Sequence, residues 1–576
     1  MRLLLLLLLQ QADSTPAARA LARLLDDAQR YKVEASIDAR QRYGLPIEHL
    51  PDLSVRAIER EAKQARALKA RLRLIDAAKL TLEEQLSASA LQWELDAMIE
   101  GAPYFWHRFG DVTPYSTPLQ SVQRVFGAYR FANNADATRY LALVGELPAW
   151  LDSIRAGLAE RQRRGIRLPS DELPLVRAVF SSYHVTAQQS PFWVGEERLR
   201  SLPTATRTQF SADLQRLLDG AVQSAFGRML EFLNADYARG APDRVGQWQY
   251  PKGKEFYRYL VRLHTTLDVT PEQVHQIGLK EVARIDSEMA AIRKSLGFTG
   301  SKAEFDATLK KDPRFFAKSP EEFGAKLMSY DARIRPRVSE FFGRIPRAQG
   351  DVRRLDPRFE AAMTYGYYQI PTATDSMGHY YYNGSKLEER SLLMAAPLVY
   401  HELIPGHHFQ FNLTAENPAL PRYRRDLTFT AYTEGWGEYA SRFAGEIGMY
   451  VDGYERYGRL GMEMFLACRL VVDTGMNYFG WTRQRAIEFM REHSLESATQ
   501  IGTETLRYAV DLPGQALAYK MGALEITRLR DEQRRKEGSR FDLKSFHTAV
   551  LESGALPLAV LRLKIAALNK KSGSAD

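Results

Sequence analysis

The chain is poor in the features that place a protein quickly. Its 576 residues include a single cysteine, Cys468, so no internal disulfide framework exists. That usage is compatible with either redox compartment. Cys468 lies in the apolar run FLACRLVV, which reads as a small buried hydrophobe rather than a nucleophile. No stretch reaches the roughly 18 consecutive apolar residues of a membrane helix, which argues against a stable span. Like charges do not run in blocks: 79 basic residues stand against 70 acidic ones, a net charge of +9. That is a mildly basic, solvated surface and not an arm for nucleic acid. Sustained β alternation and internal repeats are also missing, which excludes large sheets and solenoids and leaves helix packed on helix.

What is present is mostly helical signal. Thr270-Pro271-Glu272-Gln273 offers a capping threonine, proline at the first helical position and glutamine at the third. Apolar residues follow at helical spacing: Val274, Ile277, Val282, Ile285, Met289 and Ile292. Ser319-Pro320-Glu321-Glu322 repeats the pattern, and residues 55–100, 136–165, 208–239 and 522–536 read as amphipathic helices. One segment departs. GHYYYNG, residues 378–384, is aromatic and bounded by glycines, which favours a strand. At the start, Arg2 and seven leucines have the form of an export signal, with Ala12 the best processing position. The chain therefore divides into a candidate signal segment at 1–12, an N-terminal helical half at 13–300 and a C-terminal helical half at 301–576. The expected location is the periplasm or outside the cell, with the cytoplasm as the alternative.

Chemistry concentrates in HELIPGHHFQ, residues 401–410. It starts as the zinc motif H-E-x-x-H, in which two histidines four apart share one helix face. Here Pro405 stands where the second histidine belongs, and the histidines come later, at His407 and His408. On a regular helix His401 and His407 lie about 240° apart and His401 and His408 about 10.5 Å apart, so neither pair could share an ion. Pro405 removes the bond to the carbonyl of His401, and Gly406 tolerates unusual backbone angles. Together they predict an interrupted helix that brings His401 and His407 to one Zn2+, with His408 as the alternative ligand or a supporting neighbour. Glu402 would be the general base. The third ligand should be a carboxylate on a later helix. TAYTEGWGEYASRFAGE supplies Glu434, with 26 residues between it and His407, and Glu438 one turn on. Glu434 is preferred because Gly435 and Gly437 around Trp436 suggest close packing there.

HELIPGHHFQ, TAYTEGWGEYA, LVVDTGMNYFGWTRQRAI and RYAVDLPGQALAYKMG together resemble the bacterial family known as domain of unknown function 885. RLHTTLDVTPEQVHQIGLKEVARIDSEM and FDLKSFHTAVLESGALPLAVL extend the likeness over about residues 20–565. The resemblance implies a mainly α, two-lobed zincin-like fold with a channel and a small β element beside the metal site. It also implies kinship with helical gluzincin peptidases, of the broad shape of carboxypeptidase Taq and thimet oligopeptidase. In the family the segment VDTGxH usually carries a histidine; here that position is Asn477.

On this reading the chain is a zinc metallopeptidase acting on short peptides. Tyr519, which follows the family's PGQA segment, is the first choice for stabilising the oxyanion, with Tyr508 and Arg507 as alternatives. Arg507 or Lys520 would hold a substrate carboxylate, Asn477 would face substrate in place of histidine, and the strand holding Tyr381 would pair with an extended peptide or serve as a structural edge. Two other readings stand beside it: a helical binding protein on the same fold that has lost catalysis, and a zinc hydrolase of a non-peptide amide. The sequence specifies no oligomeric state.

Overall fold

The computed structural model describes residues 15–115, 117–234, 236–360, 365–372 and 375–572. The export reading of residues 1–12 falls outside them. The architecture is mainly α, with one small three-stranded sheet. Thr270 caps the helix Pro271–Ser295 (α1) through a capping box with Gln273, as the sequence predicts. Ser319 likewise caps Pro320–Ile334 (α2). The 55–100 region resolves into two helices, Val55–Leu72 and Leu82–Gly101, and the 208–239 region is interrupted by a π turn at Leu218–Val222.

Strands Gly350–Arg354 (β1), Gly366–Gln369 (β2) and Gly378–Tyr382 (β3) form a sheet in the order β1-β3-β2, parallel between β1 and β3 and antiparallel between β2 and β3. The aromatic segment is thus a strand, but it is the central one. Both its edges are already paired, so a peptide cannot add to it; the strand-addition role expected around Tyr381 does not hold. The Tyr381 ring stacks on Tyr367 instead.

Five more helices build the part of the molecule that matters for function: Ala395–Glu402 (α3), His407–Ala415 (α4), Thr430–Glu446 (α5), Gly453–Asn477 (α6) and Leu517–Glu537 (α7). From Tyr457 to Asn477, α6 is buried at nearly every position, as expected of a helix enclosed on all sides. It packs lengthwise on α1, where a Cβ on Gly278 would come within 2.8 Å of Leu470 and Val471. The α5–α7 pair also packs closely: a Cβ on Gly435 would lie 2.5 Å from the Cα of Gly522. The glycines let two backbones approach where any side chain would hold them apart. One apolar core runs from Ala18 to Ile565, across the expected division near residue 300. That position marks no break between cores. Cys468 is fully buried within α6, and burial raises its thiol pKa, so it is the inert hydrophobe its sequence suggests.

Candidate metal centre

The helix carrying His401 stops at Glu402, and a new one begins at His407. The four residues between them turn sharply; Leu403 has φ −102° and ψ −102°, and the Ile404–Pro405 peptide is cis. Gly406 closes the turn against the preceding helix. A Cβ there would sit 1.8 Å from the carbonyl oxygen of His401 and 2.6 Å from that of Tyr400, so no other residue fits. The turn is also pinned from outside, because the indole of Trp436 on α5 donates to the carbonyl of Pro405 at 2.9 Å. This bond ties the two histidine helices to the helix that carries Glu434.

The result is a convergence of three side chains. The rings of His401 and His407 stand 4.7 Å apart, nearly perpendicular. Oε2 of Glu434 lies 3.3 Å from Nε2 of His401 and 3.4 Å from Nε2 of His407. Zinc bonds of 2.0–2.1 Å at tetrahedral angles give a ligand–ligand edge of about 3.3–3.4 Å. Ligand atoms of His401, Glu402 and His407 also come within 4.8 Å of one another, so Glu402 competes for the third place. The tetrahedral edge favours Glu434, which meets both imidazoles. Burial alone would raise the pKa of Glu434, but hydrogen bonds from His401 and His407 hold the carboxylate well below its usual range. Gly437 belongs to the same construction, since a Cβ there would meet the His401 ring at 2.7 Å.

Glu402 is different. Its Oε2 is buried without a hydrogen-bond partner, and burial pushes its pKa up to about 7, aided by the charge of Glu434 and opposed by His407. Nδ1 of His407 is also buried and unpartnered. Two imidazole nitrogens, one carboxylate oxygen and a second carboxylate with a free oxygen make a donor set that fits zinc. The alternatives face elsewhere. His408 turns both ring nitrogens to protein partners, Nδ1 to the Tyr368 hydroxyl at 2.8 Å and Nε2 to the carbonyl of Ala348 at 3.0 Å. Glu438, one turn beyond Glu434, is buried and paired with Arg459 at 2.6 Å.

The comparisons with known proteins agree with this architecture. The family described as "Bacterial protein of unknown function (DUF885)" matches residues 39–565. The chain belongs to the DUF885 family. Among solved structures it is similar to one from Colwellia psychrerythraea, at 26% identity and a TM-score of 0.86, covering 96% of this chain and 99% of that one. It is also similar to one from Shewanella oneidensis, at 19% identity and a TM-score of 0.73, covering 96% and 100%. Each of those two is described as a "putative lipoprotein". No curated protein matches the sequence.

Within this DUF885 chain the other expected site residues divide sharply. Tyr519 is at the site: its ring lies 6.2 Å from that of His401, close to parallel, and the charge of Glu434 adds to the burial that raises its pKa. Tyr508 is not free to stabilise an oxyanion, because its hydroxyl donates to Glu504 and accepts from Arg469 at 2.7 Å. Lys520 is held by Glu281 at 2.9 Å and Glu463 at 2.5 Å, a buried ion cluster rather than a substrate contact. Asn477 is fully buried. Its amide donates to Asp473 and to the carbonyl of Tyr508, and its oxygen accepts from the backbone of Gln247. The position where the family carries histidine is structural in this chain. Arg507 is buried beside Glu504, at 3.2 Å.

Sequence reasoning overlooked Arg469. This buried cation on α6 lies with its guanidinium 4.6 Å from the ring centre of Tyr519. An arginine inside FLACRLVV was the available signal.

Proposed function

We propose that this protein is a zinc-dependent hydrolase of peptide bonds, exported from the cell. The observation that carries the reading is the spacing of Glu434 Oε2 at 3.3 and 3.4 Å from two imidazole Nε2 atoms, beside a carboxyl with a free buried oxygen. His401, His407 and Glu434 would hold the ion, which leaves a fourth position for water. Zinc, when bound, supplies a Lewis acid and a water of lowered pKa. The chain's own groups do the rest. Glu402 takes the proton from the attacking water at its free oxygen and returns it to the leaving amine. Tyr519, stacked beside His401, offers a hydroxyl toward charge developing on the scissile carbonyl. The fixed turn at 403–406 keeps both imidazoles in place, so little reorganisation is needed as charge moves. Likeness to two structures, each described as a "putative lipoprotein", supports export. Among the described residues, no helix is long and apolar enough to cross a membrane.

The test is zinc content and hydrolysis of a mixed peptide library by the native protein and by Glu402→Gln. The reading requires about one zinc per chain in both proteins and cleavage in the native protein alone. Cleavage surviving in Glu402→Gln contradicts the assigned base, and a native protein that binds zinc without cleaving any peptide contradicts the activity.

A further inference from the structure

Arg469 and Arg507 share a single carboxylate. Glu504, fully buried, bonds to Arg469 at 3.0 Å and to Arg507 at 3.2 Å. The remaining partners are neutral: the Tyr508 hydroxyl for Arg469 and the Gln515 amide oxygen for Arg507 at 2.6 Å. Nε of Arg507 is buried with no hydrogen-bond partner. Two guanidinium ions against one anion leave a positive charge without a counter-ion in the interior. Such a charge is costly unless something pairs with it. Among the described residues, no other carboxyl is ion-paired with either arginine. Glu434 is engaged by the two histidines, Asp473 by Tyr257, Asn477 and the backbone of Gly514, and burial pushes the pKa of Glu496, Asp511 and Asp473 up to about 7.

The place of this excess charge is informative. Arg469 lies over the ring of Tyr519, which in turn stacks beside His401. The centroid distances of 4.6 and 6.2 Å put the cation within about three residues of extended chain from the metal ligands. On the other side, Arg507 lies 4.4 Å from the ring centre of Tyr115, whose side chain reaches the surface at 41% exposure. A small anion attached to a peptide could therefore reach the arginines while the peptide's last bonds lie at the metal centre.

We propose that Arg469 and Arg507 form an anion site that receives the C-terminal carboxylate of the substrate peptide, so that the enzyme removes one to three residues from that end. The inference rests on the hydrolase reading of the preceding subsection. The unpartnered Nε–H of Arg507 suits a carboxylate oxygen, because a hydrogen bond between two charged groups is stronger than a neutral one. An acidic side chain of the substrate offers the same chemistry, and the experiment separates the two.

Binding of three peptides to zinc-loaded Glu402→Gln protein is measured by calorimetry: one with a free C-terminus, the same peptide amidated, and an amidated peptide with glutamate at its last position. The free carboxylate is expected to bind at least about tenfold tighter than the simple amide, the scale of a charge-assisted hydrogen bond. The glutamate amide should not recover that gain. Arg507→Gln in the same background should abolish the preference and leave the melting temperature unchanged or higher, because it removes the uncompensated charge while Arg469 and Glu504 remain paired. Equal binding of free and amidated peptides overturns the site, as does a preference that survives Arg507→Gln. Recovery by the glutamate amide assigns the site to acidic side chains and overturns the end-directed reading. If the native protein cleaves no peptide while the preference persists, the hydrolase reading fails and the carboxylate site stands.

Discussion

His407 and His408 are neighbours in sequence, and Glu434 and Glu438 are one helical turn apart, yet each pair splits between two kinds of environment. His407 and Glu434 meet each other and His401, Oε2 of Glu434 lying between the two Nε2 atoms. His408 has both ring nitrogens bonded to the protein, by Tyr368 and the Ala348 carbonyl, and Glu438 is tied through Oε1 to Arg459, away from the imidazoles. The difference teaches how to separate a ligand from a structural polar group. A structural group is bonded to protein partners that cannot leave. A ligand group is held in place by glycines and a turn, and keeps its lone pair turned toward a shared point.

The comparison can be broken most decisively at the base. Glu402→Gln keeps the three ligands and removes only the proton acceptor. Hydrolysis is expected to fall by about 10²–10⁴-fold with zinc retained, read from turnover and metal content together. The paired glutamates come next. Glu434→Gln should lose most of the bound zinc, while Glu438→Gln should keep it and lower unfolding stability by about 1–3 kcal/mol, because buried Arg459 would lose its 2.6 Å partner and keep Glu463 at 3.6 Å. Denaturant titration and metal analysis of the two variants reverse this ranking if the assignment is wrong. A milder strike is Gly437→Ala, whose methyl group would meet the His401 ring at 2.7 Å. Displacing that ring should weaken zinc binding by about 10–100-fold, the scale of losing a ligand's support, as measured by competition with a chelator.

How much of this was legible beforehand depended on whether the cause was local. The capped start at Thr270 and the interruption at Pro405-Gly406 are written in adjacent residues, and the structure follows them. The choice of His407 over His408 is not local; it depends on which way α4 leaves the turn, fixed by the bond from Trp436 to Pro405. The expected roles of Lys520, Tyr508 and Asn477 failed for a related reason. Glu281 for Lys520 and Gln247 for Asn477 are hundreds of residues away, and Arg469, which bonds the Tyr508 hydroxyl, sits on a different helix; no spacing rule reveals them. β1 and β2 escaped notice because each is only four or five residues long and carries no clear alternation.

Two further expected effects concern metal removal and acid. Stripping zinc should lower stability toward heat, since a ligand at 100 to 1,000 times its Kd stabilises the folded state by about 3–4 kcal/mol. His547, a structural histidine bonded to Tyr439 and to the Phe341 carbonyl, is held neutral by burial with its pKa lowered to about 4. The folded state therefore binds fewer protons than the unfolded state between pH 6.5 and 4, and stability falls as pH drops through that window. A scan of melting temperature against pH should show a shallower acid decline in His547→Gln than in the native protein.

The most direct measurement of the central claim is an anomalous difference map collected at the zinc absorption edge from crystals grown with the metal. The account predicts one peak about 2.0–2.1 Å from Nε2 of His401, Nε2 of His407 and Oε2 of Glu434. A peak coordinated by His408 or Glu438, or no peak among these residues in zinc-loaded crystals, would contradict it.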